Sequence, residues 1–515
     1  MNPVGKTRVV VVGAGMGGLV SALELACQGF HVTVLEKAHR AGGKLSQSEV
    51  AGQHIDCGPT VLTMPWVFDE IFARAGANFR ERVHLSPLDR LASHFWSDGS
   101  SLDLYSDAEQ SAAAISDFAG SREADGYRRF AKRAEEVFDL LDQPFMRQGC
   151  SGPLQLMQAV GFARLPDLFK IAPFSTLHGA LKHYFSDPRL LQLFGRYATY
   201  CGSSPYACPA TLMLVTHVER CGVWSVAGGM IKLSEAITRL CMERGVTFRY
   251  DTQVDSIQVE KGRAKGVTLG DATWLSADLI VMNGDAGALA KGLFGTQASG
   301  ASVAMSRSQR SLSALTWSMV TKTQGRPLAR HNVFFSDDYH AEFEDLFRHR
   351  RLPRQATVYI CAQDRDAQAP VPGGEERLFC LVNAPADGDS NTLHPEEIDQ
   401  CQQRMLQLVS RCGVQFGPIP DAMTITTPSS FSQRYPASGG ALYGPASHGW
   451  TASFRRAPAR SSIQGLYLAG GSTHPGPGLP MAALSGTIAA QSILSDLALT
   501  DRYQTMAMPG GISMR

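Results

Sequence analysis

The spacing of apolar and polar positions changes along the chain, and the changes divide it. Residues 8–12 form a short run of buried-strand character, residues 19–27 repeat apolar positions at helical spacing, and residues 32–35 are a second β-rich run closed by Glu36 and Lys37. This order predicts strand, helix, strand. From about residue 64 to 224 the pattern becomes mainly helical, with helices predicted over 66–75, 106–118 and 124–141, the last bearing the alternating charges of a solvated face. A helix over 231–243, a strand over 245–250 and a hairpin over 255–268 follow. Strands of a second sheet are then expected at 315–320, 333–336, 357–361 and 378–383, a helix at 394–412, and a small-residue helix at 482–494.

The first strand runs directly into Gly13-Ala14-Gly15-Met16-Gly17-Gly18. Gly13 allows the tight turn, Gly15 lets a pyrophosphate approach bare backbone, and Gly18 permits close packing of helix on strand, with phosphates at the helix N-terminus. Glu36 ends the second strand, where a carboxylate accepts the hydroxyls of an adenosine ribose. A nucleotide cradle is the reading. The later Gly42-Gly43-Lys44 offers a second turn whose amides and cation suit a diphosphate. It is followed by Asp56-Cys57-Gly58-Pro59-Thr60.

The 515 residues suffice for about two to four domains. Lys+Arg 48 against Asp+Glu 47 leaves no basic excess, which argues against nucleic acid as a partner. Eleven cysteines lack C-x-x-C or zinc-like spacing, so reduced thiols, no disulfides and no metal are expected. The stretch before the first strand has no apolar core, so no secretory leader is expected, and a conventional membrane span is not expected either.

Residues 145–185 differ in composition. They are rich in Phe, Leu and Met, are broken by Pro153, Pro166 and Pro173, and carry Arg147, Arg164, Lys170 and Lys182 against the single acid Asp167. Short apolar helices with cationic edges suit a bilayer interface through which a lipid-soluble substrate enters. Core helices around a substrate tunnel explain the same letters. Next, aromatics and a glycine turn cluster over 194–205, with Arg196, His217 and Glu219 as candidate polar residues of a pocket and candidate bases. Near the C-terminus, a strand opens into Gly470-Gly471-Ser472-Thr473-His474-Pro475-Gly476-Pro477-Gly478-Leu479-Pro480-Met481 and then the small-residue helix. The amides of that second helix N-terminus can stabilise negative charge on a reduced ring.

The elements from Gly13 to Glu36, the Gly42-Gly43-Lys44 turn and Asp56-x-Gly58 resemble the FAD-binding head of glutathione-reductase-type flavoproteins, in the branch of amine oxidases, protoporphyrinogen oxidases and carotenoid desaturases. Lys44 stands where that branch usually has Arg, which keeps the charge and loses the bidentate fork. The C-terminal Thr-His-Pro-Gly-x-Gly-x-Pro is similar to the signature of bacterial carotenoid desaturases, and Thr63-Met64-Pro65-Trp66-Val67-Phe68, residues 194–209 and 480–486 look closest to those acting on hydroxy- and methoxyneurosporene. Ser472, where many amine-oxidase relatives have an acid, weakens an amine reading, and Pro477 departs from the usual small residue.

The resemblance implies an α/β fold, with a Rossmann-like FAD-binding domain made of residues 1–70, 224–298 and 438–497. It also implies a second, α+β substrate domain of residues 71–223, associating with the membrane, and 299–437, leaving 498–515 as a flexible tail. It implies FAD held by Gly13, Gly15, Met16, Gly17, Gly18, Glu36, Lys37, Gly43, Lys44, Gly58, Pro59, Thr60, Val254 (through its backbone, at the adenine), Gly470, Gly471, Gly478, Pro480 and Met481. Residues 277–285 match the strand returning to the cofactor. The activity implied is 3,4-desaturation of acyclic 1-hydroxy or 1-methoxy carotenoids, with electrons passing to a quinone or oxygen. A peripheral position on the cytoplasmic face of a photosynthetic membrane goes with it. Phytoene-type desaturation, carotenoid oxygenation or isomerisation, and a non-catalytic lipid carrier of the same fold are the alternatives.

Overall fold

The computed structural model describes residues 7–149, 152–161, 175–365, 374–420 and 422–506. Strand β1 (Arg8–Val12), helix α1 (Met16–Cys27) and strand β2 (His31–Leu35) form where the apolar pattern predicts. They lie at the centre of a five-stranded parallel sheet ordered Leu466–Leu468, Leu279–Met282, β1, β2, Thr247–Arg249. The valines of β1 alternate between two cores. Val9 and Val11 join the helical core around α1, whereas Val10 and Val12 join a second core shared with the three-stranded antiparallel sheet of residues 254–276. Burial on both faces explains the unbroken apolar run. Helices Ile231–Glu243 and Leu479–Met506 pack on α1, whose residues from Met16 to Leu23 are all buried.

The second sheet has seven strands, in the order Met423–Thr426, Ser313–Thr321, Glu376–Ala384, Val358–Ala362, His331–Phe334, Arg90–Phe95, Ser101–Tyr105. Its two faces differ, as period-two side-chain alternation requires. One face, with Leu315, Trp317, Val358, Ile360 and Cys380, closes on helix Pro395–Arg411 through Met405, Leu408 and Val409. The opposite face carries His94, Val333, Tyr359 and Leu381 in one register row and turns toward the first domain.

Strands Arg90–Phe95 and Ser101–Tyr105 correct the expectation of a mainly helical stretch over 64–224. Ser93 and His94 are buried along with their apolar neighbours, so Arg90–Phe95 lacks the half-buried alternation that marks a strand. The last helix also runs to Met506, past the point where a flexible tail was expected to begin. Its residues 479–499 are long and apolar enough to cross a membrane, with 56% of the most apolar window buried. Its contact with α1 makes this portion a core helix. Helix Pro153–Val160 is observed within the segment read as membrane-facing, and residues 162–174 of that segment lie outside the described residues.

Trp317 is fully buried between the second sheet and its helix. Trp317→Ala is expected to cost about 3–5 kcal/mol in urea unfolding, the range for truncating a large core aromatic.

Candidate cofactor and substrate site

Gly13, at φ +97°, turns the chain out of β1, and a Cβ on Gly18 would sit 2.2 Å from the Gly13 carbonyl oxygen. The carboxamide of Asn283, at the end of the returning strand, lies against this loop. A Cβ on Gly15 would lie 2.7 Å from Asn283 Oδ1, and one on Gly17 would lie 2.7 Å from the Gly470 amide and 2.9 Å from Asn283 Nδ2. Gly15 is therefore needed for packing beneath the loop as well as for open backbone above it. No side chain caps the N-terminus of α1, which leaves its first amides to an anion.

Glu36 is buried, and its carboxylate accepts from the Ala14 amide at 2.7 Å and the Ala38 amide at 2.9 Å. Each oxygen keeps a further lone pair for a ribose hydroxyl. Val254 is buried near this end of β2, where the Thr252 amide donates to the Glu36 carbonyl.

The second turn is fastened to the first: the Gly42 amide donates to the Ala14 carbonyl, and a Cβ on Gly43 would lie 3.0 Å from Gly15 Cα. Lys44 Nζ donates to the Leu442 carbonyl at 2.5 Å and lies over the Tyr435 ring. Gly58 is obligatory because a Cβ there would meet the Lys44 carbonyl oxygen at 1.9 Å. Burial pushes the Lys44 ammonium down and the Asp285 carboxyl up, each partly offset by the other's charge. Arg456 donates to the carbonyls of Gly471, Tyr443 and Pro445, and burial pushes it down to about 10. Two enclosed cations facing one carboxylate favour an anionic occupant, and a dinucleotide diphosphate fits them.

At the C-terminal turn, Gly470 and Gly478 take positive φ, the Gly470 amide donates to Ser485 Oγ at 2.7 Å, and nothing lies near a Cβ placed on Gly471. Pro480 and Met481 open the last helix there. His474 Nε2 lies 2.9 Å from the Phe145 carbonyl and 2.8 Å from that of Gln148, which ties this turn to the helical region. Lys37 follows Glu36 at the end of β2. Its Nζ donates to the Arg434 carbonyl at 2.6 Å and joins two chain segments.

The candidate polar trio separates. Glu219 is buried and accepts from the hydroxyls of Tyr197 and Tyr200, the latter at 2.7 Å. His217 contacts the Phe138 ring and Cys221 Sγ instead. Positions two apart on a helix face different ways, so His217 and Glu219 do not share a surface. Arg196 stands between the rings of Tyr200 and Tyr359, 5.6 and 5.5 Å from their centroids. A guanidinium stays protonated and holds no acceptor, so Arg196 is no base.

Tyr359 and His331 were not visible as site residues, because they come from strands whose composition carries no chemistry. The Tyr359 hydroxyl lies 2.7 Å from Thr60 Oγ1 and 2.8 Å from His331 Nδ1, which links the Gly58-Pro59-Thr60 segment to the second sheet. Burial, with positive charge nearby, pushes His331 and His94 down to about 3, so both rings are neutral.

Comparison with known proteins now decides the family. The flavin containing amine oxidoreductase family matches residues 16–494. The chain belongs to that family of flavoenzymes. It is 48% identical over 515 residues, covering 100% of this chain and 98% of the relative, to a hydroxyneurosporene desaturase of Rubrivivax gelatinosus. A protein of the same name from Cereibacter sphaeroides is 43% identical over 496 residues, with 96% and 99% covered. A 1-hydroxycarotenoid 3,4-desaturase of Flavobacterium sp. is 31% identical over 510 residues, with 94% and 99% covered. Among solved structures, putrescine oxidase bound to putrescine superposes with TM-score 0.57 at 13% identity, covering 95% of this chain and 99% of that one. A fatty acid isomerase from P. acnes gives 0.55 at 14%, covering 95% and 99%. These two likenesses establish the fold, and FAD is the cofactor of this flavoenzyme.

Gly15→Val is expected to abolish FAD retention, measured as flavin absorbance per protein after gel filtration. Glu36→Ala is expected to weaken FAD and to leave the far-ultraviolet circular dichroism unchanged. Truncating the trio separates roles. Glu219→Ala leaves two buried hydroxyls unpaired and is expected to cost about 1–3 kcal/mol for each in thermal or urea unfolding. His217→Ala is expected to leave turnover unchanged.

Proposed function

We propose that the chain is an FAD-dependent desaturase that introduces a C3–C4 double bond into acyclic 1-hydroxy and 1-methoxy carotenoids. The observation that carries this reading is the 48% identity, end to end, with a hydroxyneurosporene desaturase. The C-terminal Thr-His-Pro-Gly-x-Gly-x-Pro turn and the absence of an acid at Ser472 support it.

A carbon–hydrogen bond beside a polyene is too weak an acid for a side chain to deprotonate at a useful rate. When bound, FAD supplies a hydride acceptor, and the positive charge left on the substrate spreads along its double bonds. The neighbouring carbon then loses a proton to water or a weak base. The chain's own residues bind and orient. The glycine loop and Glu36 hold the nucleotide end, and Lys44 and Arg456 hold its negative charge. The turn from Gly470 to Met481 and the Thr60 hydroxyl border the reacting side. Tyr200 and Tyr359 flank the Arg196 guanidinium on this side of the second sheet.

The reading includes peripheral contact with the cytoplasmic face of a photosynthetic membrane, from which an insoluble carotenoid is drawn. Leu154 and Met157, 74% and 37% exposed on helix Pro153–Val160, support such contact. A membrane quinone or oxygen takes the electrons.

The test is anaerobic incubation of the purified flavoprotein with hydroxyneurosporene, methoxyneurosporene, neurosporene and phytoene. Flavin bleaching, a product lighter by two hydrogens and a red-shifted spectrum are expected with the oxygenated pair. Conversion of phytoene alone would make it a phytoene-type desaturase, and a red shift with an added oxygen would make it an oxygenase.

A further inference from the structure

Arg196 caps the C-terminus of helix Pro188–Gly195 and begins the turn Arg196–Cys201. It lies deep in the protein with part of its surface still accessible, and its cation rests between two tyrosine faces. Among the described residues it forms no salt bridge. Glu219 and Glu342 act on it only through space, since Glu219 is taken up by Tyr197 and Tyr200, and Glu342 Oε2 by Ser336 and Thr357. Two other buried guanidinium groups are held by the chain's own oxygens: Arg310 by Asp389 and the Ala386 carbonyl, with its Nε left over, and Arg456 by three carbonyls. A guanidinium carries five N–H donors; the Tyr200 hydroxyl lies within reach of one, and no carboxylate or carbonyl among the described residues takes up the others. Such donors, facing an internal space, are set for an oxygen that arrives with a ligand.

The site of this oxygen follows from the reaction. Arg196 touches Tyr359, whose hydroxyl touches Thr60 in the segment beside the cofactor cradle, so the guanidinium is one ring away from the reacting side. In a 3,4-desaturation, the C1 oxygen is separated from C3 by two carbon–carbon bonds and the carbon–oxygen bond. At about 1.5 Å per bond it lies within roughly 5 Å of the bond that loses hydrogen. A desaturase working at this end needs a polar partner next to its reaction centre.

We propose that Arg196 is the specificity-determining residue that donates hydrogen bonds to the C1 oxygen of the substrate and so sets C3–C4 against the cofactor. The inference rests on the substrate class proposed above. A donor-only group accounts for the pairing of substrates in that class, because a hydroxyl and a methyl ether both offer lone pairs. A carboxylate would accept from the alcohol and reject the ether. The fixed cation also discourages positive charge at the near end of the substrate, which the polyene spreads away from it.

The test measures dissociation constants from flavin difference spectra for hydroxyneurosporene, methoxyneurosporene and neurosporene, with wild type, Arg196→Met and Arg196→Lys. In Arg196→Met both oxygenated ligands are expected to weaken about 10- to 100-fold, the size of a hydrogen bond to a charged group, with neurosporene much less affected. Arg196→Lys is expected to restore part of the preference for both. Equal weakening of all three ligands, or an unchanged preference for the oxygenated pair, overturns the assignment by making Arg196 a packing residue. Should Arg196→Met fail to retain FAD, wild type and Arg196→Lys still decide: wild type that binds the alcohol and rejects the ether contradicts recognition by a donor. Wild type that converts only hydrocarbons overturns the substrate class itself, whereas conversion of hydroxyneurosporene with preference intact in both variants overturns Arg196 alone.

Discussion

The carboxamide of Asn283 lies where hypothetical side chains at Gly15, Gly17, Gly18 and Gly470 would all have to be. One amide from the returning strand thus meets the first glycine loop and the last glycine turn at contact distance, and its Nδ2 donates to the Ala469 carbonyl. The parallel sheet can bring Arg8–Val12, Leu279–Met282 and Leu466–Leu468 side by side only if the loops that leave their ends pass one another without side chains. That crossing joins the two ends of the chain at one cofactor. It also explains why a small flavin head can tolerate two long insertions: the crossing depends on backbone proximity at strand ends, not on what lies between the strands.

The insertions together make a second sheet whose two faces have separate duties. The face against helix Pro395–Arg411 is apolar where the helix covers it and stabilises by burial. The other face presents His94, Tyr359 and His331, and the helical region presents Tyr197, Tyr200, Arg196 and Glu219 to it. Several polar groups here bond to one another in short chains such as Thr60, Tyr359 and His331, although His331 Nε2 itself has no partner. A satisfied buried network is rigid, because breaking any link leaves a desolvated group unpaired. Rigidity near the reacting side suits a substrate that offers almost no polar groups by which to be oriented.

What could be read from the sequence follows from how local each requirement is. The turn at Gly13, the close approach at Gly18 and the acid at Glu36 are set within one strand–helix–strand unit, and the structure contains that unit as expected. The wedge formed by Asn283 joins the first glycine loop to the last glycine turn, far apart along the chain, and the match of residues 277–285 to a returning strand does not say where its carboxamide lies. Tyr359 and His331 were hidden for the same reason, since each sits in an ordinary strand and acquires meaning only when Thr60 arrives from the first domain. His217 and Glu219 stand two positions apart in the sequence, which does not tell which of them reaches the aromatic cluster. On a helix their separation points one toward Phe138 and the other toward the tyrosines. Strand Arg90–Phe95 escaped notice because burial of Ser93 and His94 erased its alternation.

The arrangement around Arg196 shows how such a group is kept in the interior. The Glu219 carboxylate is too far to form an ion pair with it, yet its charge, with that of Glu342, favours the cation through a medium that screens poorly. Tyr200 serves both partners: its hydroxyl donates to Glu219, and its ring faces the guanidinium. Were Glu219 to pair directly with Arg196, the cation would be more comfortable and its donors would be spent. Holding the carboxylate back behind two phenols stabilises the charge without spending the guanidinium donors on an ion pair, which leaves them to the Tyr200 hydroxyl and, on the assignment made above, to the substrate oxygen.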